Sequence, residues 1–292
     1  MTTFSTSSPA TSSPALPGGA LGRIRLEADH LSPSLRRVAD HVLQDADNVV
    51  HQNITELALS VGVGEATITR LCRKLNFAGF HAFKLALAAD VMNRTPAPPP
   101  GGDSLAARAA RLLHFTTQTL ENTVQLLDAA AVERVATHLA RAPRVVLAGQ
   151  GNSGLLAQYF ANRLMRLGIT ASVSTDPHIT AVGISTLPGG GVVIGLSSSG
   201  STIDTVQHLQ LARNHGHYTV AVTHRASSPI TRYASDVLFT AAQEDPLSDS
   251  VLDTLTSQAL MLELLYAAIL PKRPEAHTLL RVTAESVVDK KF

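Results

Sequence analysis

The chain has 292 residues, 45% of them apolar and 16% charged, which is enough for the cores of two domains at roughly 100–200 residues each. Lys and Arg number 24 against 23 Asp and Glu, so a net charge of +1 excludes a general polyanion binder and makes any nucleic-acid contact local. The single cysteine, Cys72, excludes an internal disulfide framework and a cysteine zinc cluster, and it suits a reducing compartment.

Residues 1–20 are mostly Ser, Thr, Pro, Ala and Gly and read as a disordered tail, because such a segment buries too little apolar surface to offset its ordering entropy. The first basic residue is Arg23 and no apolar run precedes it, so no secretory signal is expected and the expected address is the cytoplasm. Residues 21–93 read as helical throughout. Residues 94–104 hold a Pro run followed by Gly101-Gly102, the clearest linker in the chain. Residues 105–292 form the second part.

That part opens with helical patterns at Leu105–Leu127 and Ala130–Arg141, after which strands and helices alternate. Strands are expected at Arg144–Ala148, Ala171–Ser174, Val192–Leu196, Tyr218–Val222 and Val237–Thr240. Helices are expected at Gly154–Leu167, Asp176–Leu187 and Thr202–Asn214, with Leu252–Leu270 closing the chain. Near-continuous apolar strands alternating with helices imply a parallel sheet covered on both faces. Ala259–Leu270 is too short and too interrupted, by Glu263, for a membrane span of about 18–20 residues. It reads as a buried or subunit-interface helix.

Two regions carry chemistry. In the first, Leu57, Ala58 and Val61 share one helical face, Gly62 breaks the helix, and a second helix starts near Glu65 with Ile68, Leu71, Cys72 and Leu75 inward. Thr67, Thr69, Arg70, Arg73 and Lys74 then face outward, which is the pattern of a helix-turn-helix. The start of the second helix, Glu65, Ala66 and Thr67, would lie nearest base edges in a major groove. Arg70 suits a bidentate contact to guanine, while Arg73 and Lys74, a turn later, suit phosphates. Residues 65–94 hold five basic side chains (Arg70, Arg73, Lys74, Lys84, Arg94) against Glu65 and Asp90. Cys72 falls on the inner stripe and reads as a small buried hydrophobe.

In the second, glycine and hydroxyl loops follow the first and third strands. Gly149-Gln150-Gly151-Asn152-Ser153-Gly154 leads into a helix, a turn that lets backbone approach an anion. The third glycine of a dinucleotide fingerprint is missing and no acidic residue ends the next strand, so a nicotinamide cofactor is disfavoured. Ser197-Ser198-Ser199-Gly200-Ser201-Thr202 brings five hydroxyls to a helix start, suited to phosphate oxygens without a positive charge. Ser201-Thr202-Ile203-Asp204 also reads as a capping box, but one cap does not need six such residues.

Residues 24–92 resemble the N-terminal domain of the RpiR family of bacterial transcriptional regulators. The match rests on Ile54-Thr55-Glu56-Leu57-Ala58, Glu65-Ala66-Thr67-Ile68, Arg70-Leu71-Cys72-Arg73-Lys74-Leu75 and Phe77-Ala78-Gly79-Phe80. Gly64 stands where that family often carries a capping Ser, an exchange that costs only a few tenths of a kcal/mol. Residues 105–275 resemble the sugar isomerase (SIS) domain through Gly149-x-Gly151-x-Ser153 and Ser197-x-Ser199-Gly200-x-Thr202. Val220-Ala221-Val222-Thr223 and Ala234-Ser235-Asp236-Val237 also fit its pattern.

The resemblance implies an all-α helix-turn-helix domain followed by a three-layer αβα SIS domain with a five-stranded parallel sheet. It implies a DNA-binding regulator, a dimer or tetramer, that senses a phosphorylated sugar and needs no cofactor or metal. Ser197, Ser199 and Thr202 would grip the phosphate with Ser153 opposite, supported by Gly151, Ser198, Gly200 and Ser201, with Gln150 and Asn152 reading sugar hydroxyls. The rival reading is a sugar-phosphate isomerase or lyase with an added helical domain, which needs an acid and a base beside the sugar. Glu244, His178, His208, His215 and His217 are the candidates, and none has a spacing that marks it as catalytic. The expectation is therefore not an enzyme.

Overall fold

The computed structural model describes residues 18–92, 104–242 and 251–286. The proposed linker falls almost wholly outside these residues, as do residues 1–17 of the proposed tail. The end of that tail is structured after all: α1 starts at Ala20, which is fully buried.

The N-terminal unit is a helical bundle of α1 (Ala20–Glu27), α2 (Pro33–Gln44), α3 (Ala46–Val49), α4 (Ile54–Val61), α5 (Glu65–Lys74) and α6 (Phe80–Met92). Local chemistry sets its boundaries. Pro33 occupies the first turn of α2, where its missing N–H costs nothing. Asn53 caps α4 in a reciprocal box, accepting from the Glu56 N–H while the Glu56 carboxylate accepts from its own. The apolar stripes meet in one core that includes Ile24, Val42, Leu57, Ile68, Leu71, Cys72, Phe83 and Leu87. At about 1.5–3 kcal/mol per fully buried large side chain, this core outweighs the propensities of its short helices.

The C-terminal unit begins with α7 (Leu105–Gln125) and α8 (Ala129–Arg141). Then β1 (Val145–Gly149), α9 (Gly151–Met165), β2 (Ala171–Val173), α10 (Pro177–Ser185), β3 (Val192–Leu196), α11 (Ile203–Asn214), β4 (Tyr218–Thr223) and β5 (Asp236–Phe239) alternate as expected. After these come α12 (Val251–Ile269) and α13 (Ala276–Glu285), the latter a helix that the periodicity did not announce. The five strands run parallel in the order β2-β1-β3-β4-β5, with Val145 opposite Val192 and Gly149 opposite Leu196.

Strand residues alternate between two cores. Val145, Leu147, Val192, Ile194 and Leu196 pack with α8, α9 and α12. Val146 and Val193 pack with Ile184, Leu209 and Ile230 on the other face. The result is the expected three-layer arrangement. The order reverses direction at β1 and β3, so the loops after those two strands flank a crevice at the carboxyl edge of the sheet.

α12 is long and apolar enough to cross a bilayer by length and composition alone. Its packing accounts for that apolarity: Met261, Leu262, Leu265, Tyr266 and Ile269 belong to the core. Glu263 is engaged by Arg163 at 2.7 Å and by the Tyr159 hydroxyl. One face of this stretch is thus buried, as one of its two readings expects.

The two units touch. Leu26 of α1 joins Leu126, Phe239 and Ala241 in a small apolar cluster, and the Ala226 N–H donates to the Leu26 carbonyl at 3.2 Å.

Candidate functional site

The turn between α4 and α5 is built as its glycine implies. Gly62 takes φ 69° and ψ 42°, the left-handed conformation that a side chain resists. Gly64 starts α5 without a side-chain cap, and Thr55 ties the helix start to α4 by donating to the Glu65 carboxylate at 2.6 Å. Ile68, Leu71 and Cys72 are buried, and burial pushes the Cys72 thiol up to about 11. Glu65, Ala66, Arg70 and Arg73 are exposed, and Thr67 and Thr69 are half-buried. Lys74 is exposed at its stem, but its Nζ lies 3.1 Å from the buried Glu27 carboxylate of α1. Arg70 and Arg73 are then the outward basic side chains of the face, beside the exposed Glu65.

Two anchors of this helix have no local signal in the sequence. Arg23 donates to the carbonyls of Leu75 and Asn76, each at 3.1 Å, and its guanidinium sits 4.5 Å over the Phe77 ring. Glu27 is the other. Both side chains hold the C-terminal end of α5 from α1, about fifty residues away.

At the sheet's carboxyl edge, the structure brings the two predicted loops together. α9 starts at Gly151, three residues earlier than expected, so the N–H groups of Asn152 and Ser153 lie in the first turn, where a helix offers no partner. Gly149 is where the strand and helix approach most closely: a Cβ there would sit 2.8 Å from the Ser153 carbonyl oxygen. Gly200 takes φ 66°, and a Cβ on it would meet the Ser228 hydroxyl at 2.1 Å. Ser197 and Ser153 are nearly buried, whereas Ser199, Ser201 and Asn152 are exposed.

The hydroxyls do not behave as caps. Thr202 is the N-cap of α11 but makes no side-chain cap bond; its Oγ1 lies 3.0 Å from Ser197 Oγ. The capping box read from Ser201–Asp204 is not formed either: the helix cap falls one residue later, on Thr202, and the Ser201 hydroxyl donates back to the Ser199 carbonyl at 3.3 Å. The Ser201 N–H donates to Ser199 Oγ at 3.3 Å, which curls the loop around its own centre. Ser198 holds the loop from behind, its carbonyl accepting from Thr223 Oγ1 at 2.9 Å and from the His224 N–H at 3.2 Å.

Gln258 of α12 was not foreseen. It is fully buried and bridges the two loops. Its Nε2 donates to Ser198 Oγ at 2.9 Å, and its Oε1 accepts from Ser153 Oγ at 3.3 Å. The signal was present as a Gln inside an apolar helical run, but nothing local says what it meets.

Among the described residues, the acid and base candidates do not assemble. His215 and His217 precede β4, at the amino edge of the sheet, opposite the loops. His208 is buried under α10 with its Nε2 2.9 Å from the Pro177 carbonyl oxygen. His178 is exposed on α10, and Glu244 lies outside the described residues. His224, at the right edge, is a histidine that sequence reasoning passed over. Burial first, and Arg225 second, push its imidazole down to about 4, so it stands neutral at neutral pH.

Over residues 18–94 the chain matches the helix-turn-helix domain of the rpiR family, and over residues 138–268 it matches the SIS domain. It is 33% identical over 260 residues to an uncharacterized HTH-type transcriptional regulator of Haemophilus influenzae, covering 86% of this chain and 90% of that one. It is 30% identical over 228 residues to the HTH-type transcriptional regulator HexR of Escherichia coli, covering 77% and 78%. The Vibrio vulnificus NanR protein, solved in complex with ManNAc-6P, is similar with a TM-score of 0.60 and 29% identity over 93% of this chain and 99% of that one. The sugar isomerase domain of an RpiR transcription factor from Sphaerobacter thermophilus gives 0.55 and 27%, over 61% and 98%.

Proposed function

The chain belongs to the rpiR family of helix-turn-helix transcriptional regulators and carries a SIS domain behind its DNA-binding domain, and on that premise we propose that it is a cytoplasmic regulator whose operator affinity is set by a phosphorylated sugar. The phosphate sits in the Ser197–Thr202 loop, against the N-terminus of α11, and the sugar lies across the crevice toward Asn152 and Ser153 of α9. The observation that carries this reading is the Thr202 hydroxyl. It stands at the cap position, leaves the cap unmade and joins Ser197 instead. A loop that only terminated a helix would use that oxygen on the helix. The similarity to NanR, solved with ManNAc-6P, supports the same ligand class.

On DNA, Arg70 reads a guanine from the first half of α5, and Arg73 holds a phosphate beside it. Two half-sites require two copies. Support for a dimer comes from large apolar side chains left exposed at the rim of the crevice, Leu155 of α9, Ile179 of α10 and Ile203 of α11, with Leu113 on α7. α12 adds Val251 and Leu252, also exposed, at its N-terminal end. A second copy seated on the rim would roof the ligand.

The test is a thermal-shift screen against hexose, pentose, amino-sugar and muramic acid phosphates, ManNAc-6P among them. A ligand at 100 times its Kd adds about 2.7 kcal/mol to the native state. A hit that Ser199→Ala removes is the expected outcome. Silence across the panel contradicts the reading.

A further inference from the structure

The loop after β4 touches both functional sites at once. On one side, Thr223 Oγ1 and the His224 N–H hold the Ser198 carbonyl. The Ser228 hydroxyl fills the space above Gly200, and the Ile230 N–H donates to the Gly200 carbonyl at 3.0 Å. On the other side, the same loop grips α1 and the turn that follows it. Ser227 Oγ donates to Glu27 Oε1 at 2.8 Å, and Arg225 Nη1 lies 3.1 Å from Asp29 Oδ2. Glu27 then passes its second oxygen to Lys74, the last residue of the recognition helix, at 3.1 Å.

The path runs through four elements, phosphate loop, β4 loop, α1 and α5, and each junction between them is a named polar contact. A cavity of about 340 Å³ lies beside it, lined by Arg25, Leu26, Arg36, Leu126 and Arg225 among others. The seam between the units is thus pinned by polar contacts and a small apolar cluster, with open space between them. A seam of that kind can pivot without a well-packed core having to deform.

Resting on the reading of Ser197–Thr202 as the effector loop, we propose that residues 223–228 are a coupling loop which transmits the pose of the phosphate loop to the C-terminal end of the recognition helix through Glu27 and Lys74. Ordering the phosphate loop moves the Ser198 carbonyl and Gly200, the loop follows, and Glu27 shifts relative to α5. Ser227 and Glu27 are positioning residues here, and neither touches DNA or ligand.

The experiment is a double-mutant cycle read by hydrogen exchange in the full chain, free of DNA. Thr223→Val removes the hydroxyl that holds the phosphate loop while keeping the shape of the strand. Ser227→Ala combined with Glu27→Gln cuts the far end of the path. Peptides covering residues 68–76 report on the recognition helix, and peptides of α13 serve as the remote control. Thr223→Val is expected to raise exchange at residues 68–76 severalfold in the native background and to leave it unchanged in the cut background. Equal effects in both backgrounds, or none in either, overturn the proposal. A second arm adds ManNAc-6P as the probe. If it fails to protect residues 197–202, the ligand assignment is what suffers, and the ligand-free cycle still decides the coupling. If it protects that loop, it is expected to alter exchange at residues 68–76 in the native background only, and an equal change in the cut background counts against the coupling.

Discussion

Replacing Gln258 isolates the one side chain that joins the two ligand loops. It is fully buried and makes two neutral hydrogen bonds, to Ser198 Oγ and Ser153 Oγ. At a net 0.5–1.5 kcal/mol per bond, Gln258→Leu is expected to destabilise the SIS domain by about 1–3 kcal/mol. Ser198 is only half-buried, so its hydroxyl can turn to water and soften the loss on that side, which makes the lower half of the range the better expectation. A loss of about 2 kcal/mol lowers Tm by roughly 4–8 °C for a domain of this size. Gln258→Glu tests the electrostatics of the same position. A carboxylate still accepts from both hydroxyls, but it places negative charge behind the phosphate loop. Its expected signature is a stability loss larger than that of Gln258→Leu, because a fully buried carboxylate is desolvated, together with phosphosugar affinity reduced more than tenfold. Thermal and denaturant unfolding give the first number, and calorimetric titration with the best ligand of the screen gives the second. Native stability and native affinity in both variants would refute the bridge as an organiser of the site.

Other consequences are as direct. Gly200→Ala forces a side chain into φ 66° and against Ser228, so it should cost about 1–2 kcal/mol from the backbone alone and abolish ligand-induced stabilisation. Arg70→Ala is expected to weaken operator binding by about 1–3 kcal/mol and to relax preference at one base pair, whereas Arg73→Ala weakens all sequences alike and lowers the salt slope by about one, both measurable by anisotropy titration. Cys72, with its thiol raised to about 11 by burial, should resist alkylation at pH 8 in the native protein and react fully in denaturant; rapid native labelling would contradict its place in the core.

Much of the architecture was legible because its signals are local. Gly62 needs a left-handed turn, and the apolar runs of β1, β3 and β4 are too continuous for one-sided strands. The hydroxyl density of Ser197–Thr202 was equally plain. What escaped were contacts between residues far apart in the chain. Ser227 meets Glu27 across 200 positions, Ser153 meets Gln258 across 105, and Arg23 reaches Leu75 across 52. The capping box failed for a local reason. Its spacing was correct, but the helix starts one residue later than the pattern implies, and the Ser201 hydroxyl assigned to the helix is used by the loop, on the Ser199 carbonyl. The tail was drawn three residues too long, to residue 20, because Gly18 and Gly19 look like linker composition. Their lack of a Cβ is what lets α1 start where it does: on Gly18 it would lie 2.6 Å from Leu126 Cδ2, and on Gly19 1.9 Å from Asp90 Oδ1.

The central claim is that one chain holds two coupled sites, and equilibrium operator binding with and without ligand tests it most directly. A duplex selected from a random pool by the protein itself serves as the operator, and each phosphosugar of the panel is added at saturation. The account predicts that at least one changes operator affinity by fivefold or more, and that Ser199→Ala keeps the ligand-free affinity while losing the response. Operator binding that is tight and unmoved by every phosphosugar would contradict it.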